Sequence, residues 1–238
     1  MIIDPDLIIK CPACGSFQYR HSLGSGNTLN AVYFSDKKYI APRCYDSPYF
    51  VKCPNCNVLF KITKKEVVGK DYDNKYDYPY IAFLSIDEYC RAINEGLYNG
   101  NKKDIISLRI NLWRLFNDRL RNVNAYSFNF LTSRRIDFIE MKKGSLSDAF
   151  ETEEITIYEE NCRYILSFMS NYKDDEDLLL RAELSRNIGQ FENCINFLKK
   201  IKNPEKLENY ISAIKTACDE ENMLTVEVFN ESPSIVLF

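Results

Sequence analysis

The sequence predicts an α+β protein in two parts, a small β-rich head followed by an all-α body. Three observations predict it. Two C-P-x-C pairs flank a stretch rich in Tyr, Phe, Val and Thr near the N-terminus. From residue 85 onward apolar residues recur at steps of three and four, the period of a helix with one buried face. Charge divides in the same place: residues 1–70 carry 10 Lys+Arg against 5 Asp+Glu, and residues 71–238 carry 21 against 29, within a formal net charge of −3. The expected spans are a head over 1–70, a linker over 71–84, a helical domain over 85–229 and a tail over 230–238.

The head begins at Cys11-Pro12-Ala13-Cys14-Gly15 and closes at Cys53-Pro54-Asn55-Cys56. Two residues between thiols let one tight turn aim both sulfurs at a single ion. Two such turns supply the four-cysteine tetrahedral shell common in structural zinc sites. The predicted ligands are therefore Cys11, Cys14, Cys53 and Cys56, holding one structural Zn2+ in a zinc-ribbon-like unit. A redox C-x-x-C is the other use of this spacing, but redox motifs do not usually come in pairs. The 38 residues between the pairs exceed the ~15–20 of compact versions, so a β-rich insert must fill the gap. Its candidate strands are Phe17–Leu23, Leu29–Phe34 and Leu59–Thr63, with a turn at Gly24-Ser25-Gly26-Asn27 and Phe50–Lys52 leading into the second knuckle. His21, the one histidine, falls at a strand position where it needs no ligand role, and Cys44 reads as a loop residue. A catalytic zinc keeps an open position and usually takes His or carboxylate ligands. Four thiols therefore read as a folding staple for a unit with little core of its own.

The run Lys70–Tyr80 is polar and Tyr-rich, and its D-x-D start lacks the Gly and Glu that a calcium loop needs at its sixth and twelfth positions. It reads as the inter-domain connection. Ser85-Ile86-Asp87-Glu88 is a capping box that opens a helix to about Tyr98. A second helix carries the stripe Ile105, Leu108, Leu112, Leu115, Phe116 and Leu120, with Trp113, Arg109, Arg114, Arg119 and Arg121 decorating its edge. Residues 123–150 show no clear period and read as a long connection with one short element. A third helix carries Ile155, Tyr158, Cys162, Ile165, Leu166 and Met169. Asp174–Asp177 lies where a helix N-terminus favours negative charge. Leu178–Ile188, Gly189 and the run to Leu198 then form a helix, a break and a helix that packs back, with Ala182 and Cys194 small where the two cross. Asn203-Pro204 starts a last helix with the stripe Leu207, Tyr210, Ile211, Ile214, Ala217 and Cys218, and Thr225–Phe229 reads as a short strand.

Composition bounds the function. At 238 residues, 45 % apolar and 27 % charged, the chain is ordinary globular material for one or two domains. No apolar run approaches the ~18–20 residues of a membrane span. Asp4 and Asp6, with no basic segment before them, argue against a secretion signal. There is no G-x-x-x-x-G-K-[ST], G-x-G-x-x-G or G-x-S-x-G.

The order C-P-x-C-G, Ser25-Gly26-Asn27-Thr28, Ser35-Asp36, Ala41-Pro42, Lys52-Cys53-Pro54-x-Cys56 and Ala182-Glu183-Leu184-Ser185-Arg186-Asn187-Ile188-Gly189-Gln190-Phe191 resembles a group of uncharacterised bacterial proteins. In that group a zinc-ribbon-like head precedes a helical part with a tetratricopeptide-like hairpin. Phe34 stands where that pattern has Trp, Lys37 interrupts its Asp-Gly, and Cys194 replaces Ala. The resemblance implies a bacterial, cytoplasmic protein and no activity.

Three functions are expected to compete. The first is a non-catalytic protein-interaction or adaptor protein. The second is nucleic-acid binding through residues 37–65, using Lys37, Lys38, Arg43, Lys52, Lys61, Lys64 and Lys65 among Tyr19, Tyr33, Tyr39 and Phe60. The third is an enzyme built on carboxylates such as Asp118 or Glu183. The first is the preferred expectation: the chain is not an enzyme, has a protein partner and has no membrane association.

Overall fold

The computed structural model describes residues 2–25, 31–41, 48–73, 75–97, 101–121, 128–129, 134–135, 143–171 and 174–230. In chain order the strands are β1 (Ile2–Lys10), β2 (Phe17–Ser25), β3 (Val32–Phe34), β4 (Tyr39–Ile40), β5 (Phe50–Lys52), β6 (Leu59–Lys61), β7 (Val67–Asp71), β8 (Phe128–Asn129), β9 (Arg134–Arg135) and β10 (Glu227–Asn230). The helices are α1 (Ile86–Asn94), α2 (Lys102–Arg121), α3 (Thr152–Phe168), α4 (Asp175–Asn187), α5 (Phe191–Leu198) and α6 (Glu208–Asp219). A fold of N-terminal antiparallel strands and largely C-terminal helices agrees with the α+β expectation.

The chain divides into two compact units, but not at residue 70. One unit holds 1–28 and 43–109; the other holds 29–42 and 110–238, so the boundary falls inside α2. The stretch 29–42, expected as head insert, pairs elsewhere: β3 lies between β4 and β10, antiparallel to both, with Val32 opposite Asn230. Pairing over that sequence distance leaves no local trace, which is why spacing between the knuckles placed the segment in the head.

In the first unit β1 is central, with β2 and β7 antiparallel on either side. The register between β1 and β2 slips between Asp4 and Leu7, where Pro5 offers no N–H to the ladder. Beyond the slip, Ile9 turns inward to a core with Cys11, Val51, Cys53, Phe60 and Ile62. The expected linker takes part in this unit: Tyr19 N–H donates to Pro79 O at 2.8 Å and Ile81 N–H donates to Tyr19 O at 2.9 Å, while Lys52 and Ala82 exchange backbone bonds of 3.1 and 3.3 Å. Residues 79–82 thus run between β2 and β5 as a pairing element, satisfying two strand edges. Helix α1 opens on the predicted box, with Glu88 N–H donating to Ser85 Oγ at 3.2 Å and Ser85 N–H to Glu88 Oε2 at 2.9 Å. It ends at Gly96, whose φ of 70° reverses the chain before the expected stop.

In the second unit α4 is the hub. Residues Ala182 to Ile188 are buried without a break, so this helix is covered on every side rather than along one stripe. Leu178, Leu179, Ala182, Cys194, Leu198, Ile211, Ile214 and Cys218 form one core across α4, α5 and α6. Ala182 and Cys194, expected at a close crossing, are both fully buried. Trp113, expected at a helix edge, is also fully buried; its Nε1–H donates to Tyr158 Oη and Asn187 Oδ1, each at 3.0 Å. The described parts of 123–150 include β8 paired with β9 and a 3-10 turn at Leu146–Asp148. The predicted turn at 24–27 lies partly, and Arg43, Cys44 and the tail from 231 wholly, outside the described residues.

Candidate metal centre

Each C-P-x-C turn is built by the same two backbone bonds. Gly15 N–H donates to Cys11 O at 3.0 Å and Cys11 N–H to Ser16 O at 2.9 Å; Asn57 N–H donates to Cys53 O at 2.9 Å and Cys53 N–H to Val58 O at 3.0 Å. The residue after the second cysteine must take positive φ, and Gly15 (73°) and Asn57 (59°) do so. Glycine is free of the Cβ penalty there, and Asn tolerates it better than most residues.

The turns bring Cys11, Cys14, Cys53 and Cys56 together, with all four Sγ atoms within 4.8 Å of one another. Cys11 Sγ is 3.8 Å from Cys56 Sγ, and Cys14 Sγ is 3.8 Å from Cys53 Sγ. A tetrahedral ion with Zn–S bonds of about 2.3 Å sets its sulfurs about 3.8 Å apart. The donor set and spacing therefore fit one metal ion and are consistent with zinc. Cys11 and Cys53 are buried in the first unit's core, whereas Cys14 is exposed and Cys56 half-exposed.

Ser16 was not foreseen in this site. Its Oγ lies 3.0 Å from Cys14 Sγ and 3.5 Å from Cys53 Sγ. Hydrogen bonds from the Ser16 side chain and backbone draw the Cys14 thiol down to about 5. The only sequence signal was a small hydroxyl residue two positions after Cys14. Asn55, inside the second turn, donates from Nδ2 to Cys14 Sγ at 3.7 Å. His21 lies outside the thiol cluster; its Nδ1 is 3.2 Å from Asp6 Oδ1.

The basic residues singled out in 37–65 are largely engaged by carboxylates. Lys37 pairs with Glu176, Lys38 Nζ lies 2.7 Å from Asp118 Oδ2, Lys52 Nζ 2.6 Å from Glu88 Oε1 and Lys61 Nζ 2.6 Å from Asp104 Oδ1. Lys64 and Lys65 remain exposed. Of the aromatics named with them, Tyr19 and Phe60 are buried, and Tyr33 and Tyr39 belong to the second unit.

The two carboxylates considered for catalysis are enclosed in ion pairs. Glu183 and Arg186 have fully buried side chains; Arg186 Nε donates to Glu183 Oε2 at 2.9 Å and Nη2 to Oε1 at 2.6 Å. Ser35 Oγ adds a bond to Glu183 Oε1 at 2.6 Å, and Arg186 Nη1 donates to the carbonyls of Asn222 and Leu224. Asp118 receives Lys38 and, at 3.1 Å, Arg121 Nε. Among the described residues no helix is long and apolar enough to cross a membrane. Compared with protein-family models, with curated proteins and with solved structures, the chain matches none.

Proposed function

We propose that the chain is a non-catalytic protein-interaction or adaptor protein whose first unit is stapled by one structural zinc ion. The observation that carries this reading is the convergence of four thiols, without a histidine or carboxylate among them, on a point spaced for one tetrahedral ion. Such a shell contributes folding free energy to a small β unit and leaves no ligand position for a substrate. The state of the lysines supports a protein partner over nucleic acid. Four of the basic residues that would meet phosphates are already neutralised by carboxylates, and phosphate binding depends on free cationic charge. The α4–Gly189–α5 hairpin is the element we assign to a tetratricopeptide-like surface, in keeping with the bacterial group the sequence resembles. Reduced thiols in such a tetrad suit a cytoplasmic setting.

The test is native co-purification from the host with metal, protein and nucleic acid assayed together, followed by a gel shift across a salt series. One zinc per chain, a protein partner and no shift at low salt are expected. A salt-sensitive shift would replace this reading with nucleic-acid binding, and a chain that folds normally without metal would remove the staple.

A further inference from the structure

One face of the first unit's sheet carries aromatic rings that lie outside both the metal centre and the Ile9–Val51–Phe60–Ile62 core beside it. Phe17, Tyr19 and His21 alternate along β2 and so share a face, and Tyr76, Tyr78 and Tyr80 alternate in the following segment. The two sets interlock. Ring centroids are 5.5 Å apart for Phe17–Tyr78, 5.4 Å for Tyr19–Tyr78, 5.6 Å for Tyr19–Tyr80 and 4.2 Å for His21–Tyr80, and Tyr76 stacks on Tyr78 at 5.0 Å. Tyr19 lies beneath at 6 % exposure, while Phe17, Tyr76 and Tyr80 are 40, 50 and 47 % exposed.

These rings are held before any ligand arrives. Tyr19 donates its hydroxyl to the Asp71 carboxylate, Tyr80 donates its own to Asp6 Oδ2 at 2.6 Å, and the backbone bonds of Tyr19 with Pro79 and Ile81 fix the two rows side by side. A surface ordered in advance loses little freedom on binding. Residues 71–80 carry three aspartates against one lysine; Lys75 lies 2.9 Å from Asp73, Asp71 is buried under the Tyr19 hydroxyl, and Asp6 lies beside Tyr80, so the segment keeps a net negative charge. Aromatic faces attract cations through the ring quadrupole, and guanidinium groups stack on them best. The same carboxylates repel a phosphate chain. From Phe17 to His21 the row is about 13 Å long, four steps of an extended chain, which places three alternate side chains of a strand-like peptide over the rings.

We propose that this aromatic row is a docking surface for an extended, arginine- or lysine-rich polypeptide segment. The proposal rests on the protein-interaction reading above and names the chemistry of the partner.

The test uses the zinc-loaded 238-residue chain and a fluorescein-labelled peptide of alternating Arg and Gly. The matching Glu-Gly peptide and a single-stranded oligothymidylate are the comparators, read by anisotropy. The Arg-Gly peptide should bind and the other two should not. Tyr76→Ala should weaken binding at least tenfold, whereas Tyr72→Ala, at an exposed tyrosine outside the row, should leave it unchanged. Asp6→Asn keeps an acceptor for Tyr80 and removes the charge; it should weaken binding severalfold, and it serves should Tyr76→Ala lose its zinc or its fold. Absence of Arg-Gly binding, binding untouched by both row variants, or preference for the oligonucleotide would each overturn the proposal. A host protein that co-purifies equally with wild type and Tyr76→Ala would sink this surface and leave the interaction reading standing. Nucleic acid in its place would sink that reading itself.

Discussion

Asp36 and Arg121 meet as a bidentate pair, Nη1 to Oδ1 at 2.8 Å and Nη2 to Oδ2 at 2.6 Å, with neither side chain exposed. The pair keys the turn after β3 into the C-terminal end of α2. Asn117 donates a further bond to Asp36 Oδ2 at 3.0 Å, and the guanidinium lies over the Phe34 ring at 4.7 Å. Removing one partner leaves a charge in a dry site. Arg121→Met should therefore cost about 3–5 kcal/mol of unfolding free energy. The double substitution Asp36→Leu/Arg121→Met should cost less than the two single losses combined, because no charge is then left unpaired. Urea unfolding of the four proteins in this cycle measures it; strictly additive losses would show that the pair is not the organising contact.

The same pair sets an acid response. Burial alone would push the Asp36 carboxyl up; the Arg121 charge and hydrogen bonds outweigh burial and hold it at about 2, below its ordinary 3.8. A carboxyl with a depressed folded-state pKa contributes stability that is complete above its unfolded value and is lost as pH falls through the folded one. Stability from this group should thus be intact above about pH 4 and decline toward pH 2, by about 2 kcal/mol. Other carboxyls, among them Asp71 and Asp175, are also depressed, so the wild-type curve alone does not isolate the effect. The difference between wild type and Asp36→Asn does: the gap between their unfolding free energies should narrow between pH 4 and 2 and stay level above.

Cys53 is fully buried and sits in both the thiol cluster and the first unit's core. Cys53→Ser should lower bound zinc from one per chain to well below one and leave the β unit open to proteolysis. A strong chelator at neutral pH should do the same to wild type. The α4–α5–α6 core has its own apolar cluster, so most of the helical circular dichroism should survive either treatment. Metal content by atomic emission and far-UV spectra on the same samples check both halves. Unchanged zinc in Cys53→Ser would remove that residue from the ligand set, and collapse of the helical signal would mean that the two units fold as one.

What could be read from the sequence follows how local each signal is. The thiol turns, the Ser85–Glu88 box and the Gly189 break each rest on fewer than six consecutive residues, and all were legible. Strand β1 was not, because Asp4-Pro5-Asp6 interrupts its apolar alternation. The pairing of β3 with β10 joins segments nearly the whole chain apart, and neither carries a mark of the other. Glu183 and Arg186 stand three apart on α4, the spacing of an ordinary helical ion pair. Spacing of this kind looks the same whether the helix is exposed or enclosed, and only the packing of neighbouring segments around α4 decides. The tyrosines of 72–80 were read as linker because their alternation has meaning only once β2 lies alongside.

Gly189 gives a last test, one that separates backbone strain from packing. It ends α4 with φ of 73°, and its N–H donates to Arg186 O at 2.9 Å. A Cβ placed there would meet Met223 Cε at 3.5 Å, an ordinary contact, so space is not the obstacle. The cost of Gly189→Ala is then the left-handed conformation itself, about 1 kcal/mol, or roughly 2–4 °C in melting temperature for a domain of this size. Gly189→Asn, which tolerates that conformation, should recover part of the loss, whereas Gly189→Val should exceed it because a β-branched side chain is least compatible with positive φ. An order in which Ala is neutral and Asn costs more would mean that side-chain volume against Met223, rather than the turn, governs how α5 folds back on α4.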